Sequence, residues 1–187
     1  SSWIKWYILN KLFLGLRQWD YIASKRSDIT IDNSSNKASR ITKYHRKDSK
    51  IIYPTDEWER LKQNVKFKNK YGEYYIIVSA LTEFKKIEVA VNAFNEMKDK
   101  KLVIVWDGNY RKSLEESAFW DNIKFVWPKY WNDLVWLLQN SLGLIFPWEE
   151  DFWIVPVEAM FAWKPIFAYR WWWLLETNAE WKTWEFF

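Results

Sequence analysis

From residue 74 onward the chain alternates short, mostly apolar runs with longer amphipathic runs, and this alternation limits the possible folds more than any other feature. The apolar runs are three to five residues long and are therefore predicted to be strands, at 74–78, 102–105, 123–126, 142–146 and 166–168. The runs between them have apolar residues at helical spacing and are predicted to be helices, at 86–97, 111–117, 132–139 and 155–162. Strands that are apolar along nearly their whole length and alternate with helices form a parallel sheet covered on both faces. The sequence therefore predicts an α/β fold with a doubly wound parallel sheet.

The preceding part of the chain is predicted to contain two helices and two short strands. Residues 4–25 have apolar side chains at helical spacing with Lys and Arg between them, and this helix would either pack against the rest of a domain or lie on a membrane surface. A strand is predicted at 29–31, followed by a turn at 32–35 whose Asp, Asn and Ser residues are typical helix caps. A basic helix at 36–46 and a strand at 50–53 complete this part.

Between these two parts lies a segment with the character of an interdomain linker. Residues 55–73 are polar and charged and contain no clear strand. We therefore divide the chain into residues 1–54, a linker at 55–73 and a domain at 74–187. Because ligands of doubly wound domains bind at the carboxyl ends of the strands, the functional site is expected in the last of these parts.

The composition excludes several classes of functional site. The chain has no Cys and a single His, His45, which excludes disulfides, a thiolate nucleophile, Cys-ligated zinc and a site of several His ligands within it. No apolar run approaches the roughly 18 residues needed to span a bilayer. The net charge of +4 favours anionic partners in general, but the basic run at 37–50 lacks a nucleic-acid-binding motif and is better interpreted as a solvated or membrane-proximal face. We expect a cytoplasmic protein without a metal or a nucleic-acid partner, whose only membrane contact would be peripheral, at the inner face of the cell membrane.

The chain is rich in Trp and poor in Gly, and Trp stands where such a fold commonly has Gly. There are 17 Trp and 4 Gly, whereas an average Gly content of roughly 7% would give about 13. Four Trp residues come soon after predicted strands, where α/β proteins usually turn through Gly: Trp106, Trp127, Trp148 and Trp171. Either the protein has an exposed aromatic surface for sugars or membranes, or the codons at many of these Trp positions are UGA, which some bacterial lineages read as Gly. We favour the second interpretation.

The segment 146–160 is the most specific motif of the chain. Glu150 lies in a predicted loop and Glu158 on the helix that follows, eight residues later. With Gly in place of Trp148 and Trp153 the segment resembles the E-x7-E signature of retaining glycosyltransferases of the GT-B fold, specifically glycosyltransferase family 4. Other blocks agree with that family in order and spacing over residues 74–187: SALTEFKKIE, LVIVWDG, IKFVW, WKP and WKTWEFF. Four upstream segments resemble the end of the N-terminal domain in bacterial mannosyltransferase-like members: LRQWD, DITIDNSS, RITKYH and IIYP.

This resemblance implies a GT-B fold with a Rossmann-like donor domain. Residues 74–187 would be the nucleotide-sugar-binding domain, truncated at its C-terminus, and residues 1–54 the C-terminal part of the acceptor-side N-terminal domain. The implied activity is transfer of a hexose, mannose from GDP-mannose, to a lipid-linked or polysaccharide acceptor in surface glycan synthesis. No cofactor is implied beyond this co-substrate, and the fragment alone is expected to be inactive because most of the acceptor domain is absent.

The resemblance also assigns roles to individual residues. Lys85 would neutralise the leaving diphosphate and Glu150 would accept hydrogen bonds from the donor sugar, so these two are the predicted catalytic residues. Glu158 would accept hydrogen bonds from the ribose hydroxyls. Backbone N–H groups at a helix start would approach the sugar and phosphates, and they belong to Phe152, Trp153 and Ile154. The other predicted donor-binding residues are Lys86, Trp106, Trp127, Trp171 and Trp172.

One position departs from the family pattern. The family pairs its Lys with an Arg five residues earlier, where this chain has Ala80. Either Lys86 or Arg170 supplies the missing half of the diphosphate site, or the chain is an inactive paralogue. Another alternative is a non-catalytic, Trp-rich module that binds carbohydrate or membrane through exposed indoles.

Overall fold

The computed structural model describes residues 2–53, 61, 70–128, 131–148 and 154–169, and the backbone of 184–186. The chain divides into two compact units, Ser1–Pro54 and Thr55–Phe187, which are described separately. Most of the predicted linker at 55–73 lies outside the described residues. Within it, Leu61 is buried in the second unit, where its carbonyl oxygen accepts a hydrogen bond from Nε2 of Gln139 at 2.7 Å.

The first unit is a long helix followed by a small βαβ arrangement. Its elements are helix α1 (Ser2–Ser24), strand β1 (Ile31–Asp32), helix α2 (Ser35–His45) and strand β2 (Lys50–Ile51). The two strands pair in parallel, Ile31 with Lys50 and Asp32 with Ile51. The first strand therefore lies later in the chain than predicted, at Ile31–Asp32 instead of 29–31. The second is shorter than predicted, at Lys50–Ile51 instead of 50–53, because only these two residues have a ladder partner.

Helix α2 has caps that its flanking residues supply. The hydroxyl oxygen of Ser34 accepts a hydrogen bond from the backbone N–H of Lys37 at 3.2 Å, which confirms the predicted capping turn at 32–35. At the other end Arg46 adopts a left-handed conformation with φ 50°, and its N–H donates to the carbonyl oxygen of Thr42 at 3.1 Å.

Helix α1 confirms the helix predicted at 4–25 and exposes many apolar side chains within its unit. Trp3, Trp6 and Trp19 are each about two-thirds exposed, and Leu and Ile residues between them are about half exposed. Among the described residues, no helix is long and apolar enough to cross a membrane.

The second unit is a six-stranded parallel sheet with a helix between each pair of successive strands as far as β7. Its strands are β3 (Tyr75–Val78), β4 (Leu102–Val105), β5 (Ile123–Val126), β6 (Gly143–Phe146), β7 (Ile166–Ala168) and β8 (Trp184–Phe186). Its helices are α3 (Ile87–Glu96), α4 (Arg111–Ser117), α5 (Trp131–Asn140) and α6 (Ile154–Phe161). Every strand and helix predicted between residues 74 and 168 is present, with ends that differ by at most one residue. The structure adds β8 and a 3₁₀ turn at Glu83–Lys85.

The strand order across this sheet is β5-β4-β3-β6-β7-β8. The chain moves outward from β3 to β5, returns through α5, and then moves outward on the other side from β6 to β8. The direction reverses between β3 and β6, and in doubly wound sheets the ligand crevice lies at the carboxyl ends of the strands beside such a reversal. The predicted α/β fold with a doubly wound parallel sheet is thus confirmed.

The central strands are buried in a continuous apolar core. Ile76 and Ile77 of β3 and all four residues of β4 have almost no exposed surface. Tyr74, directly before β3, is also buried, and its hydroxyl donates to the carbonyl oxygen of Leu137 in α5 at 2.8 Å. This burial raises the pKa of Tyr74 above its ordinary value. The core therefore holds β3 rigidly and, with it, the position of the loop that follows.

Candidate functional site

The candidate site lies at the carboxyl ends of β3 and β6, the two neighbouring strands between which the chain reverses. The loop after β3, residues 79–86, and the residues after β6, 147–148, meet at this edge because the strands that carry them are hydrogen-bonded to each other. The ends of β4 and β5, with Trp106 and Trp127, continue the same edge. The structure thus brings together four of the loops in which sequence reasoning placed donor-binding residues.

The loop after β3 is fixed to the loop after β4 by backbone hydrogen bonds. The N–H of Leu81 donates to the carbonyl oxygen of Asp107 at 3.0 Å, and the N–H of Tyr110 donates to the carbonyl oxygen of Leu81 at 3.0 Å. This connection between the loops was not apparent from the sequence. It places the 3₁₀ turn that carries Lys85 on a rigid base.

Lys85 is the most unusual residue of the site because its side chain is buried. The residue is only 2% exposed, whereas Lys is almost never fully buried unless it has a specific partner or role. Its Nζ lies 5.0 Å from the ring centroid of Phe84 and 5.1 Å from that of Trp148. Both distances are within the range in which an aromatic ring face attracts a cation. The structure therefore places the predicted diphosphate-binding ammonium at the reversal point, against aromatic rings.

Trp148 supplies one of these rings and is itself buried, at 1% exposure. Its ring centroid lies 4.2 Å from that of Phe146, the last residue of β6, with 37° between the ring planes. Sequence reasoning treated position 148 as one of the positions after a strand where such a fold commonly has Gly. In this chain it carries an indole, whose ring centroid lies 5.1 Å from Nζ of Lys85.

Trp106 has a backbone conformation that side chains rarely adopt. Its φ is 109°, in a region that Gly enters readily and a bulky residue enters only with strain. Its ring centroid lies 5.9 Å from that of Trp127, at 56°, and both side chains are partly exposed at this edge. The φ of Trp106 supports the interpretation of position 106 as a Gly site, whereas Trp127 and Trp148 are not among the residues with positive φ.

The backbone of Trp163, at the end of helix α6, also indicates a Gly site. Its φ is 58°. Its N–H donates to the carbonyl oxygen of Met160 at 2.9 Å, and the N–H of Lys164 donates to the carbonyl oxygen of Ala159, also at 2.9 Å. These two bonds define a Schellman motif, in which the residue at the position of Trp163 is usually Gly. The Trp163 side chain is 92% exposed, so packing does not compensate for the strain.

Glu158 lies on α6, the helix that follows β6, and its side chain is buried at 2% exposure. A carboxylate on an ordinary surface helix would be solvated, and a buried one is uncommon without a partner or a role. Ile154 is the first residue of α6, so its N–H belongs to the first turn, whose N–H groups have no partner within the helix. The helix begins one residue before the start predicted at 155, and the roles of Glu158 and Ile154 at the donor stay predictions.

Lys86, one of the two residues proposed to supply the missing half of the diphosphate site, is much more exposed than Lys85. The Lys86 side chain is 58% exposed, and its Nζ lies 3.9 Å from Oε1 of Glu88. Lys86 also has φ 51°, and this left-handed residue turns the chain from the 3₁₀ turn into α3. Ala80, where the resemblance described above implies Arg, is exposed just after β3.

Several predicted site residues lie outside the part of the chain that the structure describes. They are Glu150, Phe152, Trp153, Arg170, Trp171 and Trp172. Their roles stay predictions.

Comparison with known proteins identifies similar families and folds. A family described as "Glycosyl transferases group 1" matches residues 58–184. The curated protein alpha-1,3/1,6-mannosyltransferase ALG2 of Dictyostelium discoideum is 27% identical over 196 residues, covering 80% of this chain and 47% of that protein. The chain thus spans about half the length of this relative.

Solved structures agree on the fold at low sequence identity. A glycosyltransferase from Rickettsia africae superposes with a TM-score of 0.69 at 15% identity, covering 81% of this chain and 47% of that one. HepE of Anabaena, solved with UDP and glucose, superposes with a TM-score of 0.68 at 16% identity, covering 82% of this chain and 47% of that one. These likenesses show that the Rossmann-like sheet is of the GT-B type, as the sequence predicted.

Proposed function

Since this chain belongs to the group 1 glycosyl transferases, we propose that it carries the donor-binding half of a retaining hexosyltransferase of glycosyltransferase family 4. The reaction is transfer of mannose from GDP-mannose to a lipid-linked or polysaccharide acceptor in surface glycan synthesis. The choice of mannose is supported by the identity to a mannosyltransferase. HepE was solved with UDP, so the test of this proposal compares a GDP-sugar with a UDP-sugar.

The observation that carries this proposal is the buried ammonium of Lys85 at the reversal point of the sheet. Breaking a glycosyl–phosphate bond leaves negative charge on a diphosphate, and a preorganised cation stabilises that charge as it develops. Such a cation has the greatest effect where water is excluded, because the local dielectric constant is low. A buried lysine beside the ligand crevice is suited to this task.

The carboxylates would hold the two sugar rings of the donor. Glu158 would accept hydrogen bonds from the ribose hydroxyls, and Glu150 from hydroxyls of the transferred hexose. The first N–H groups of α6, at Ile154 and the two residues before it, would donate to the phosphates and the sugar. Glu150 and Lys85 are the proposed catalytic residues.

Donor binding tests this proposal. GDP-mannose and UDP-glucose are titrated by calorimetry into a variant with Gly at the ten Trp positions that resemble family Gly sites, 106, 127, 148, 153, 163, 171, 172, 173, 181 and 184. We expect millimolar or tighter binding of GDP-mannose and a large loss of it when Glu158→Gln is added. Binding of UDP-glucose alone would overturn the mannose assignment. Binding of neither donor would overturn the nucleotide-sugar proposal.

A second candidate function rests on the partly exposed pair of indoles, Trp106 and Trp127. Paired aromatic rings at a surface stack on the apolar faces of sugars. A non-catalytic carbohydrate-binding module would bind soluble mannan as the chain stands and would lose this binding in a Trp127→Gly variant. If that substitution leaves mannan binding unchanged, this candidate is eliminated.

A further inference from the structure

Lys85 and Trp148 come from the two loops that flank the reversal point of the sheet, and each is almost completely buried. Lys85 follows β3, Trp148 follows β6, and these strands are hydrogen-bonded neighbours. The residues are 2% and 1% exposed, and Nζ of Lys85 lies 5.1 Å from the centroid of the Trp148 indole. The two form a contact that closes this part of the crevice.

The indole of Trp148 also packs against the ring of Phe146. The ring centroids of Phe146 and Trp148 are 4.2 Å apart, and both side chains are fully buried. A cation close to an aromatic face is stabilised by the ring, and the stabilisation is larger where water is excluded. The indole therefore has favourable contacts with both the Phe146 ring and the ammonium.

An anion that binds Lys85 must reach its Nζ to within about 2.7–2.9 Å, the length of a charge-assisted hydrogen bond. On the side that faces the indole, Trp148 excludes any such ligand. A small residue at position 148 would leave room there for a phosphate group next to Nζ.

We propose that the residue at position 148 controls access of a diphosphate to Lys85. With Trp the ammonium is closed off, and with Gly or Ala it becomes an anion-binding site. The proposal rests on the proposed function only for the identity of the anion, the diphosphate of a nucleotide sugar. The site itself is tested with inorganic pyrophosphate and with an amine reagent, and neither test requires donor binding.

The first test measures the accessibility of Lys85 in the chain with the printed sequence, which has Trp at position 148. An amine-acylating reagent is applied under native conditions, and the labelling rate of each lysine is followed by peptide mass spectrometry. Lys86 is the internal control, since its side chain is 58% exposed and adjacent in sequence. We expect Lys85 to react at least about tenfold more slowly than Lys86, because reaction needs local opening. Equal rates would overturn the proposal.

The second test measures pyrophosphate binding by calorimetry as the residue at position 148 becomes smaller. The series is the chain with the printed sequence, called wild type here, followed by Trp148→Phe, Trp148→Leu and Trp148→Ala. We expect the dissociation constant to fall by about tenfold or more between wild type and Trp148→Ala, the gain from one charge-assisted hydrogen bond. Trp148→Phe keeps a ring over Lys85 and should remain closed. Circular dichroism checks that each variant is folded, and the Leu variant provides the test if the Ala variant is not.

A double variant identifies the group that binds the anion. Trp148→Ala with Lys85→Met has the same opening without the ammonium, and it should return to the wild-type affinity. If it binds pyrophosphate as well as Trp148→Ala alone, the anion does not bind Lys85 and the proposal fails. If wild type and Trp148→Ala bind equally, position 148 does not control access. Pyrophosphate binding by Trp148→Ala without binding of any nucleotide sugar would leave this proposal standing and overturn the proposed function.

Discussion

A Cβ atom on Gly108 would lie 2.2 Å from the carbonyl oxygen of Leu81, much closer than any non-bonded contact allows. The loop after β4 thus approaches the loop after β3 so closely that no residue with a side chain fits at 108. The same approach allows the two backbone hydrogen bonds of Leu81. Gly108 therefore helps to position the loop that carries Lys85.

Gly108→Ala should destabilise the second unit. The added methyl group must push the two loops apart, and we expect the free energy of unfolding to fall by about 2–4 kcal/mol. Urea denaturation followed by circular dichroism measures this. Gly15→Ala is the control, because a Cβ there meets nothing within 4 Å and the position lies inside α1. That change should be neutral or stabilise by up to about 1 kcal/mol. Similar effects of the two substitutions would contradict the steric argument.

Trp163→Gly should stabilise the protein. The residue has φ 58° at the end of α6 and is 92% exposed, so Gly removes backbone strain and loses little packing. We expect a gain of about 1 kcal/mol, measured as a rise in thermal midpoint. Trp163→Ala is the matched control, since Ala has a Cβ and keeps the strain. If Ala stabilises as much as Gly, removal of the indole rather than relief of φ is responsible.

The two strained Trp residues also allow a test of the codon interpretation. Trp106, with φ 109°, and Trp163, with φ 58°, have backbone conformations that favour Gly. We expect peptides of the protein purified from its natural source to have the mass of Gly at both positions, and the corresponding codons to be UGA. Peptides with the mass of Trp would show instead that the chain tolerates this strain, and the aromatic-surface interpretation would gain support.

The sequence predicted the elements of the second unit well because their signals are local. Each strand from β3 to β7 is a compact apolar run, and each helix has its own periodic apolar face, so element type and boundaries could be assigned without knowledge of the neighbours. Strand β8, at Trp184–Phe186, was not predicted. It pairs with β7, and that pairing is a long-range property.

Contacts between loops could not be predicted from the sequence either, because they are also long-range. Lys85 was selected because of a family motif, but nothing local to it shows that Trp148 covers it. Likewise, position after a strand suggested Gly at 106, 127 and 148 alike, whereas only Trp106 among these has positive φ. The backbone angle depends on how each loop continues, which strand-end position does not specify.

Tyr74 should make the protein sensitive to alkaline pH. Its pKa is raised by burial, so the folded state keeps the phenol proton to higher pH than the unfolded chain, in which tyrosine loses it near pH 10. The contribution of Tyr74 to stability is complete below that pH and is lost as the pH rises above it. We expect the free energy of unfolding to fall between pH 10 and 11.5, about the upper limit for such measurements.

The control is Tyr74→Phe, in which the free energy of unfolding should fall less over this pH range. This variant should also lose about 1 kcal/mol of stability at every pH, because it lacks the hydrogen bond to Leu137. An unchanged pH dependence in that variant would refute the assignment.

Adjacent lysines should contribute very differently to anion binding once position 148 is small. In a Trp148→Ala background, Lys85→Met should weaken pyrophosphate binding by about tenfold or more, because it removes a buried charge-assisted hydrogen bond. Lys86→Met should weaken it by less than about threefold, since the Lys86 side chain is 58% exposed and its charge is screened by water and salt.

Ionic strength separates these contributions further. Raising the salt concentration to 1 M shortens the screening length to about 3 Å, which should abolish the effect of Lys86→Met while preserving most of the effect of Lys85→Met. If Lys86→Met instead has the larger effect at low salt, Lys86 supplies the second cation of the diphosphate site that the resemblance led us to expect at position 80. Lys85 would then be a structural lysine that stabilises the contact with Trp148, and the crevice would bind its anion from the solvent side of the loop after β3.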